Sequence, residues 1–177
     1  FFTALVAEPG FADRLMGQIT DIYVECCNRY LDQVGEYLQV FTYWDDLCGQ
    51  DGWLISPGLY RRMIKPKQRR LLEAIKARTG AKVYYHSCGA VRDLIPDLIE
   101  LGFDILNPVQ VSARSMDTKR LKEEYGRDIV FWGGGVDTQR VLPFGRPAEV
   151  AEEVKKRIDD LAPGGGFVFA AVHNIQA

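Results

Sequence analysis

Five short β-branched and aromatic runs alternate with helical segments along this chain, and polar residues directly follow each run. The runs end near Tyr43, Tyr85, Leu106, Trp132 and Val172, and each predicts a buried strand. Parallel strands need crossover connections of about a dozen residues or more, whereas antiparallel strands can be joined by tight turns. Strict alternation of strands and helices therefore predicts a parallel sheet with helices outside it.

Proline, glycine and capping residues mark the ends of the predicted helices. An apolar stripe from residue 11 to residue 34 starts after Pro9-Gly10 and stops at Gly35. Ser56-Pro57 has the form of an N-cap followed by proline at the first helical position, and it opens a helix to about Thr79. Pro66 predicts a kink in that helix because proline lacks a backbone donor. Shorter helices are predicted over 91–101, 117–125 and 148–161, with Asp117 capping the second.

Five strands are too few to close an eight-stranded barrel. The chain could form an open sheet, or the later part of a (β/α)8 barrel whose opening strands and final helix are absent. The positions of the polar residues favour the barrel. We therefore predict an α/β fold, an incomplete (β/α)8 barrel of about five parallel strands, forming a single domain over residues 1–177.

Composition limits the classes of function. A net charge of -2 provides no basic field for nucleic acid or anionic lipid. No apolar run approaches the roughly 20 residues that span a bilayer. The four cysteines form no spaced disulfide framework, as expected in a reducing compartment. These features predict a soluble cytoplasmic protein without nucleic-acid or membrane partners.

The polar residues collect at the predicted carboxyl ends of the strands, which is where a (β/α)8 barrel builds its active site. Both histidines of the chain lie at such ends. The residues there, in strand order, are Asp45 and Asp46; His86 and Cys88; Asn107 and Gln110; the triplet Gly133 to Gly135 with Asp137; and His173 with Asn174.

His86 and Cys88 are the pair most specific to one chemistry. In an extended chain, residues i and i+2 point to the same side, so an imidazole nitrogen and a thiol sulfur could reach one point. Together with His173 they form a possible zinc site with an open fourth position. Alternatively, His86 and Cys88 are a buried histidine and an inert buried cysteine.

The remaining strand-end residues have both functional and structural interpretations. Asp45 and Asp46 could act in proton transfer, with His173, or could cap the following turn. The side chains of Asn107 and Gln110 could simply form hydrogen bonds with loop backbone. The glycines could be needed only for tight turns, and Trp44 could fill the core. As the functional hypothesis, substrate-binding residues are Trp44, Asn107, Gln110, Gly134, Asp137 and Asn174.

Three segments together resemble the uroporphyrinogen decarboxylase superfamily. They are Tyr85-His86-Ser87-Cys88-Gly89, Trp132-Gly133-Gly134-Gly135-Val136-Asp137, and Gly165-Gly166-Phe167-Val168-Phe169 before His173-Asn174-Ile175. Trp44-Asp45-Asp46 with Ser56-Pro57 belongs to the same pattern. The chain looks most like the branch of corrinoid-dependent methyltransferases, and the resemblance implies a (β/α)8 barrel.

That branch implies a zinc ion held by a His-x-Cys pair and a later cysteine. His86 and Cys88 match the pair, whereas His173 stands where the later cysteine is expected. A second histidine donates less charge than a second thiolate and makes the metal a stronger Lewis acid. The resemblance also implies methyl exchange between a corrinoid carried by a separate protein and a small methylated substrate or methyl acceptor.

Two other functions are compatible with the resemblance. The decarboxylases of the superfamily use no metal and bind a carboxylated tetrapyrrole of porphyrin biosynthesis through arginines, an aspartate, a tyrosine and a late histidine. His173 could match that histidine. The third function is a barrel that binds a corrinoid or tetrapyrrole without turnover.

Overall fold

A computed structural model describes residues 1–175 of the 177-residue chain. The chain divides into two compact units. One unit contains residues 1–41 and 55–82, and the other contains residues 42–54 and those from 83 onward. The division does not test whether the two units fold as one domain, so a single domain over 1–177 stays a prediction.

The first unit is helical. Its elements are α1 (Phe2–Ala7), α2 (Pro9–Val34), a 3-10 turn (Gly35–Tyr37), α3 (Pro57–Leu59), a π-helical turn (Tyr60–Ile64) and α4 (Lys65–Lys76). Ser56 caps α3 as predicted, because its Oγ accepts a hydrogen bond from the Leu59 amide at 3.2 Å. The π turn directly precedes Lys65-Pro66, where proline removes a backbone donor. The helical segment continues through Pro66 to Lys76, and a kink at Pro66 stays a prediction.

Helix α2 buries little of the apolar stripe seen in the sequence, with Leu31 as the buried member of that stripe. Ala12, Thr20 and Leu31 are its buried residues. Ala12 packs in a cluster with Leu5, Leu59 and Met63. Most of the stripe is exposed within the described unit, including Phe11, Ile19, Ile22, Tyr23 and Tyr30. Apolar periodicity thus identified the helix, and the fold decided which face it buries.

The second unit is built on a five-stranded sheet in the order β1-β2-β3-β4-β5. The strands are β1 (Val40–Trp44), β2 (Lys82–His86), β3 (Ile105–Asn107), β4 (Val130–Trp132) and β5 (Phe167–Val168), and Val40, Phe41 and Lys82 are counted with the first unit. The β2–β3, β3–β4 and β4–β5 pairs are parallel. The connections contain α5 (Ile95–Leu101), α6 (Thr118–Tyr125), α7 (Val141–Phe144) and α8 (Pro147–Leu161). The predicted parallel α/β architecture is confirmed.

Element boundaries differ from the predictions in several places. Helix α2 begins at Pro9 rather than after Gly10, and neither α1 nor α7 was expected. Asp117 caps α6 as predicted, since its carboxylate accepts from the Arg120 amide. Strand β5 is two residues long, although a strand to Val172 was expected. Backbone hydrogen bonds nevertheless continue beyond it, from the Gly135 amide to the Ala170 carbonyl and from the Val172 amide to the Val136 carbonyl.

Alternation along β2 determines which side chains reach the functional site. Tyr85 is fully buried, with its ring centroid 5.6 Å from that of Tyr43 and 4.8 Å from that of Phe103. Tyr84 and His86 lie on the opposite face, because successive strand residues alternate sides. His86 is in register with Asn107 of β3. This face of the sheet carries the cavity described below.

Among the helices of residues 1–175, none combines the length and the apolar composition that crossing a membrane requires.

Candidate metal centre

A cavity of about 410 Å³ lies in the second unit, at the carboxyl ends of β1, β2 and β3 and beside the segment that follows β5. Ligand sites of small molecules have volumes of about 300–1,000 Å³, so this cavity would accommodate a small ligand. Its lining residues are Trp44, Tyr84, His86, Asn107, Ala170, Ala171, Val172, His173, Asn174 and Ile175.

Asn107 fixes the orientation of the His86 ring. The Asn107 Nδ2 donates a hydrogen bond to the Trp132 carbonyl at 2.8 Å, which leaves its Oδ1 facing the His86 Nδ1 at 2.7 Å. An amide oxygen can only accept, so the His86 Nδ1 carries the hydrogen. In the neutral imidazole, the lone pair is therefore on the His86 Nε2. A second partner that sets the tautomer in this way is typical of metal-binding histidines.

The free nitrogen of His86 faces the other predicted ligands. The His86 Nε2 lies 3.7 Å from the Cys88 Sγ. One potential ligand atom from each of His86, Cys88 and His173 lies within 4.8 Å of the other two. The structure thus brings together the three residues proposed as ligands from the sequence. Two nitrogens and one sulfur suit zinc, whereas magnesium and calcium prefer oxygen.

Two polar side chains hold the loop that carries Cys88. The Cys88 amide donates to the Asp46 carboxylate at 2.7 Å, and the Gly89 amide donates to the Gln110 Oε1 at 2.7 Å. Gly89 has a φ of +93°, and a Cβ there would lie 2.6 Å from the Cys48 carbonyl oxygen. Only glycine meets both conditions without strain. Asp46 and Gln110 therefore hold the backbone of the loop, while catalysis by Asp46 and substrate binding by Gln110 stay predictions.

Trp44 covers the outer side of His86. The two rings stack with centroids 4.3 Å apart and an interplanar angle of 20°. The indole remains 68% exposed within the described residues. Trp44 is therefore a wall of the cavity rather than part of the core, and its binding of substrate stays a prediction.

Burial shapes the ionisation of two groups beside the cavity. It raises the pKa of the Cys88 thiol, and the negative charge of Asp46 raises it further. Burial also raises the pKa of Tyr84 to about 12, with a smaller contribution from charge on Cys88. In the metal-free protein at neutral pH, both groups therefore keep their protons.

The remaining predicted residues occupy different positions. Asn174 lines the cavity, while Gly134 and Asp137 are buried outside its lining. Gly134 packs against Val109, and the Asp137 carboxylate accepts from the Gln139 amide at 2.7 Å. The Asp45 backbone continues the sheet, because its amide donates to the His86 carbonyl. The catalytic or substrate-binding role of each of these residues stays a prediction.

Sequence reasoning missed Tyr84 as a cavity residue. It also missed the apolar segment Ala170, Ala171 and Val172. The signal for Tyr84 was present, since it precedes His86 by two residues on the same strand and therefore shares its face. Nothing in the sequence marked the apolar segment as part of a cavity, because a strand buried on both sides would have the same apolar sequence.

The family model described as uroporphyrinogen decarboxylase (URO-D) matches residues 1–177. A solved methyltransferase from Methanosarcina mazei superposes with a TM-score of 0.72 and 18% sequence identity. That superposition covers 99% of this chain and 47% of the methyltransferase. The likeness to it shows the fold.

One curated sequence also matches part of the chain. Protein US34 of human cytomegalovirus (strain AD169) is 37% identical over 76 residues, which cover 42% of this chain and 47% of US34. The two alignments thus each cover about half the length of the known protein.

Proposed function

The chain belongs to the uroporphyrinogen decarboxylase family, and we propose that its cavity is a zinc-dependent methyl-transfer site that exchanges methyl groups with a corrinoid protein. The observation that carries this proposal is the convergence of His86, Cys88 and His173, whose ligand atoms lie within 4.8 Å of one another. The methyltransferase fold of the similar solved structure supports it.

The donor atoms fit zinc in kind and in spacing. With zinc bonds of about 2.3 Å to sulfur and about 2.05 Å to nitrogen, tetrahedral geometry separates the two donors by about 3.6 Å. The His86 Nε2 and the Cys88 Sγ are 3.7 Å apart. The fixed tautomer of His86 presents the lone pair that a metal needs. The donor types of all three residues and the spacing of His86 and Cys88 therefore fit a zinc ion.

The protein residues have separate tasks in the proposed site. Asn107 orients His86, while Asp46 and Gln110 hold the loop that presents Cys88. Cys88 must lose its proton to become a ligand, and its raised pKa makes metal binding release that proton. Bound zinc would supply Lewis acidity that polarises a methyl donor or activates an acceptor. Trp44 limits the access of water to His86.

The size of the cavity supports a corrinoid that stays on its own protein. A volume of about 410 Å³ suits a small substrate, and a corrinoid macrocycle with its side chains would not fit inside it. The methyl group would then be exchanged at the mouth of the cavity. The predicted partners are therefore a corrinoid protein and a small methylated substrate or methyl acceptor.

The alternative is metal-free decarboxylation of a polycarboxylated tetrapyrrole, in line with the description of the family. Such a substrate needs cationic groups for its carboxylates. Within residues 1–175, the lining of the cavity includes neither arginine nor lysine. The ligand atoms of His86, Cys88 and His173, which lie close together, favour methyl transfer over decarboxylation.

Metal content is the first test of the proposed function. We expect about one zinc per chain in protein purified without added metal, and loss of that zinc in Cys88→Ala. Cys26→Ala is the matched control, because Cys26 is an exposed cysteine of helix α2. With a thiol added as methyl acceptor, the zinc-loaded protein should also convert methylcobalamin and the thiol to cob(I)alamin, a methyl thioether and a proton, measured by the change in the visible spectrum.

Other outcomes would redirect the assignment. Failure to bind zinc even after reconstitution would exclude the proposed site, and release of carbon dioxide from uroporphyrinogen would then establish the decarboxylase. Binding of cobalamin without turnover by the zinc-loaded protein would instead indicate a barrel that only binds its ligand.

A further inference from the structure

Two consecutive tyrosines of β2 have opposite environments. Tyr85 is fully buried, and its hydroxyl donates a hydrogen bond to the Asp45 carbonyl at 2.9 Å. Tyr84 is half-buried and lines the cavity. Its hydroxyl has no hydrogen-bond partner within residues 1–175. The cavity thus contains a phenol group whose hydrogen-bonding capacity is unused.

The ring of Tyr84 is held in place by Trp132. The two rings meet edge to face, with centroids 5.5 Å apart and an interplanar angle of 86°. The Trp132 carbonyl also accepts the hydrogen bond that orients Asn107, and Asn107 in turn orients His86. Trp132 therefore holds the ring of Tyr84 directly and the ring of His86 through Asn107. Such rigidity reduces the entropy that a hydrogen bond to a ligand would cost.

The Tyr84 phenol lies on the same side of the sheet as the candidate ligands. Tyr84 precedes His86 by two residues, so both side chains leave β2 on the cavity face. The hydroxyl is a neutral donor at physiological pH, as tyrosine normally is.

We infer that Tyr84 is a specificity-determining residue, whose hydroxyl donates a hydrogen bond to the small ligand held between His86, Cys88 and His173. The ligand class that benefits is one with a spare lone pair on oxygen, sulfur or nitrogen, such as a thiolate, an alkoxide or a linear anion. A quaternary ammonium group has no lone pair and would gain nothing from Tyr84. This inference rests on the proposed metal site.

A purely structural role would not require the hydroxyl. Phenylalanine at position 84 would keep the edge-to-face contact with Trp132 and would still form the cavity wall. Tyr84→Phe therefore removes the proposed hydrogen bond and little else. Tyr85→Phe is the matched control, because it deletes a hydroxyl from the opposite face of the same strand.

The test uses the full chain loaded with cobalt(II), with azide as the probe. Azide binding is followed by visible absorption, and its antisymmetric stretch is followed by infrared spectroscopy. A hydrogen bond to an anion contributes enough that we expect the azide Kd to rise about tenfold in Tyr84→Phe. The stretch should shift in that variant, whereas the cobalt affinity should not change. Tyr85→Phe should keep the azide Kd of the unchanged protein.

Three outcomes would overturn the role of Tyr84, and they differ in what they say about the metal site. An unchanged azide Kd and stretch in Tyr84→Phe, with cobalt bound normally, would overturn the role of Tyr84 and leave the metal site intact. Loss of cobalt from Tyr84→Phe would assign Tyr84 a structural role and also overturn the inference. If the unchanged protein binds no cobalt, both the metal site and the inference fail.

Discussion

The His86 Nδ1 lies 2.7 Å from the Asn107 Oδ1, and this contact turns the other nitrogen of the ring toward Cys88. The two residues are in register on neighbouring parallel strands. The contact is set by strand pairing, and the Trp132 carbonyl then determines which way the Asn107 amide faces. A metal-binding tautomer is therefore imposed by the sheet itself.

Loss of the Asn107 amide should weaken metal binding without removing a ligand. In Asn107→Ala, the His86 Nδ1 has no acceptor and the ring can rotate, so we expect zinc affinity to fall by about 10–100-fold. Affinity is measured by competition with a chelator. Asn107→Asp keeps an acceptor for Nδ1 and should retain most of the affinity. Equal affinities of Asn107→Ala and the unchanged protein would contradict this role.

Replacement of Gly89 should destabilise the second unit. In Gly89→Ala, the residue must adopt a φ of +93°, and its Cβ would lie 2.5 Å from the Gly49 carbonyl oxygen. We expect the free energy of unfolding to fall by at least about 2 kcal/mol, measured by urea denaturation. Gly80→Ala is the control, since a Cβ there would meet no atom within 4 Å. A similar stability of both variants would refute the clash.

The Arg92–Glu124 pair should make stability depend on acid pH. Hydrogen bonds and charge from Arg92 hold the pKa of Glu124 below its ordinary value of 4.5. A lowered folded-state pKa stabilises the protein above the ordinary value, and this stabilisation is lost as pH falls through the folded pKa. The stability difference between Glu124→Gln and the unchanged protein should therefore be present at pH 7 and shrink below about pH 4.5.

Urea denaturation at several pH values measures this effect, which should be small because both side chains are partly or largely exposed. Glu123→Gln is the control, since Glu123 makes no ion pair within residues 1–175. A difference for Glu124→Gln that stayed constant from pH 7 to pH 3 would argue against the pair.

The cysteines should react with alkylating reagents at very different rates. Cys26 is exposed, whereas Cys48 is buried and has a pKa raised to about 11, mainly by burial and then by nearby carboxylates. At pH 8 only about one Cys48 in a thousand would be a thiolate, which is the reactive form. Mass spectrometry after brief iodoacetamide treatment should therefore find Cys26 labelled long before Cys48. Early labelling of Cys48 would mean that its loop opens readily.

Local sequence rules were sufficient for most of the elements and for the closeness of His86 and Cys88. Asp117 and Ser56 cap helices because a short polar side chain reaches the free amides of the first turn. His86 and Cys88 come close because they follow one strand with a spacing of two. These features depend on neighbours within a few residues, so the sequence contains all the information they need.

These local rules did not predict contacts between segments that are distant in the sequence. Asn107 was predicted to bind substrate or to satisfy a loop, yet its Oδ1 faces His86, 21 positions away. Asp46 was proposed for proton transfer, and the structure uses its carboxylate to hold the Cys88 amide. Each of these pairings depends on the register and order of strands, which a single sequence does not encode locally.

The sequence by itself determined that strands and helices alternate, and that an imidazole nitrogen and a thiol sulfur lie at the end of β2. Only the tertiary structure decided that Tyr84 lines the cavity while Tyr85 is buried, and that most of the apolar stripe of α2 is exposed. The physical reason is that periodicity is a property of the backbone, whereas burial depends on which elements pack against each face. His173 lies near His86 and Cys88 because parallel pairing places the carboxyl ends of the strands at one edge of the sheet.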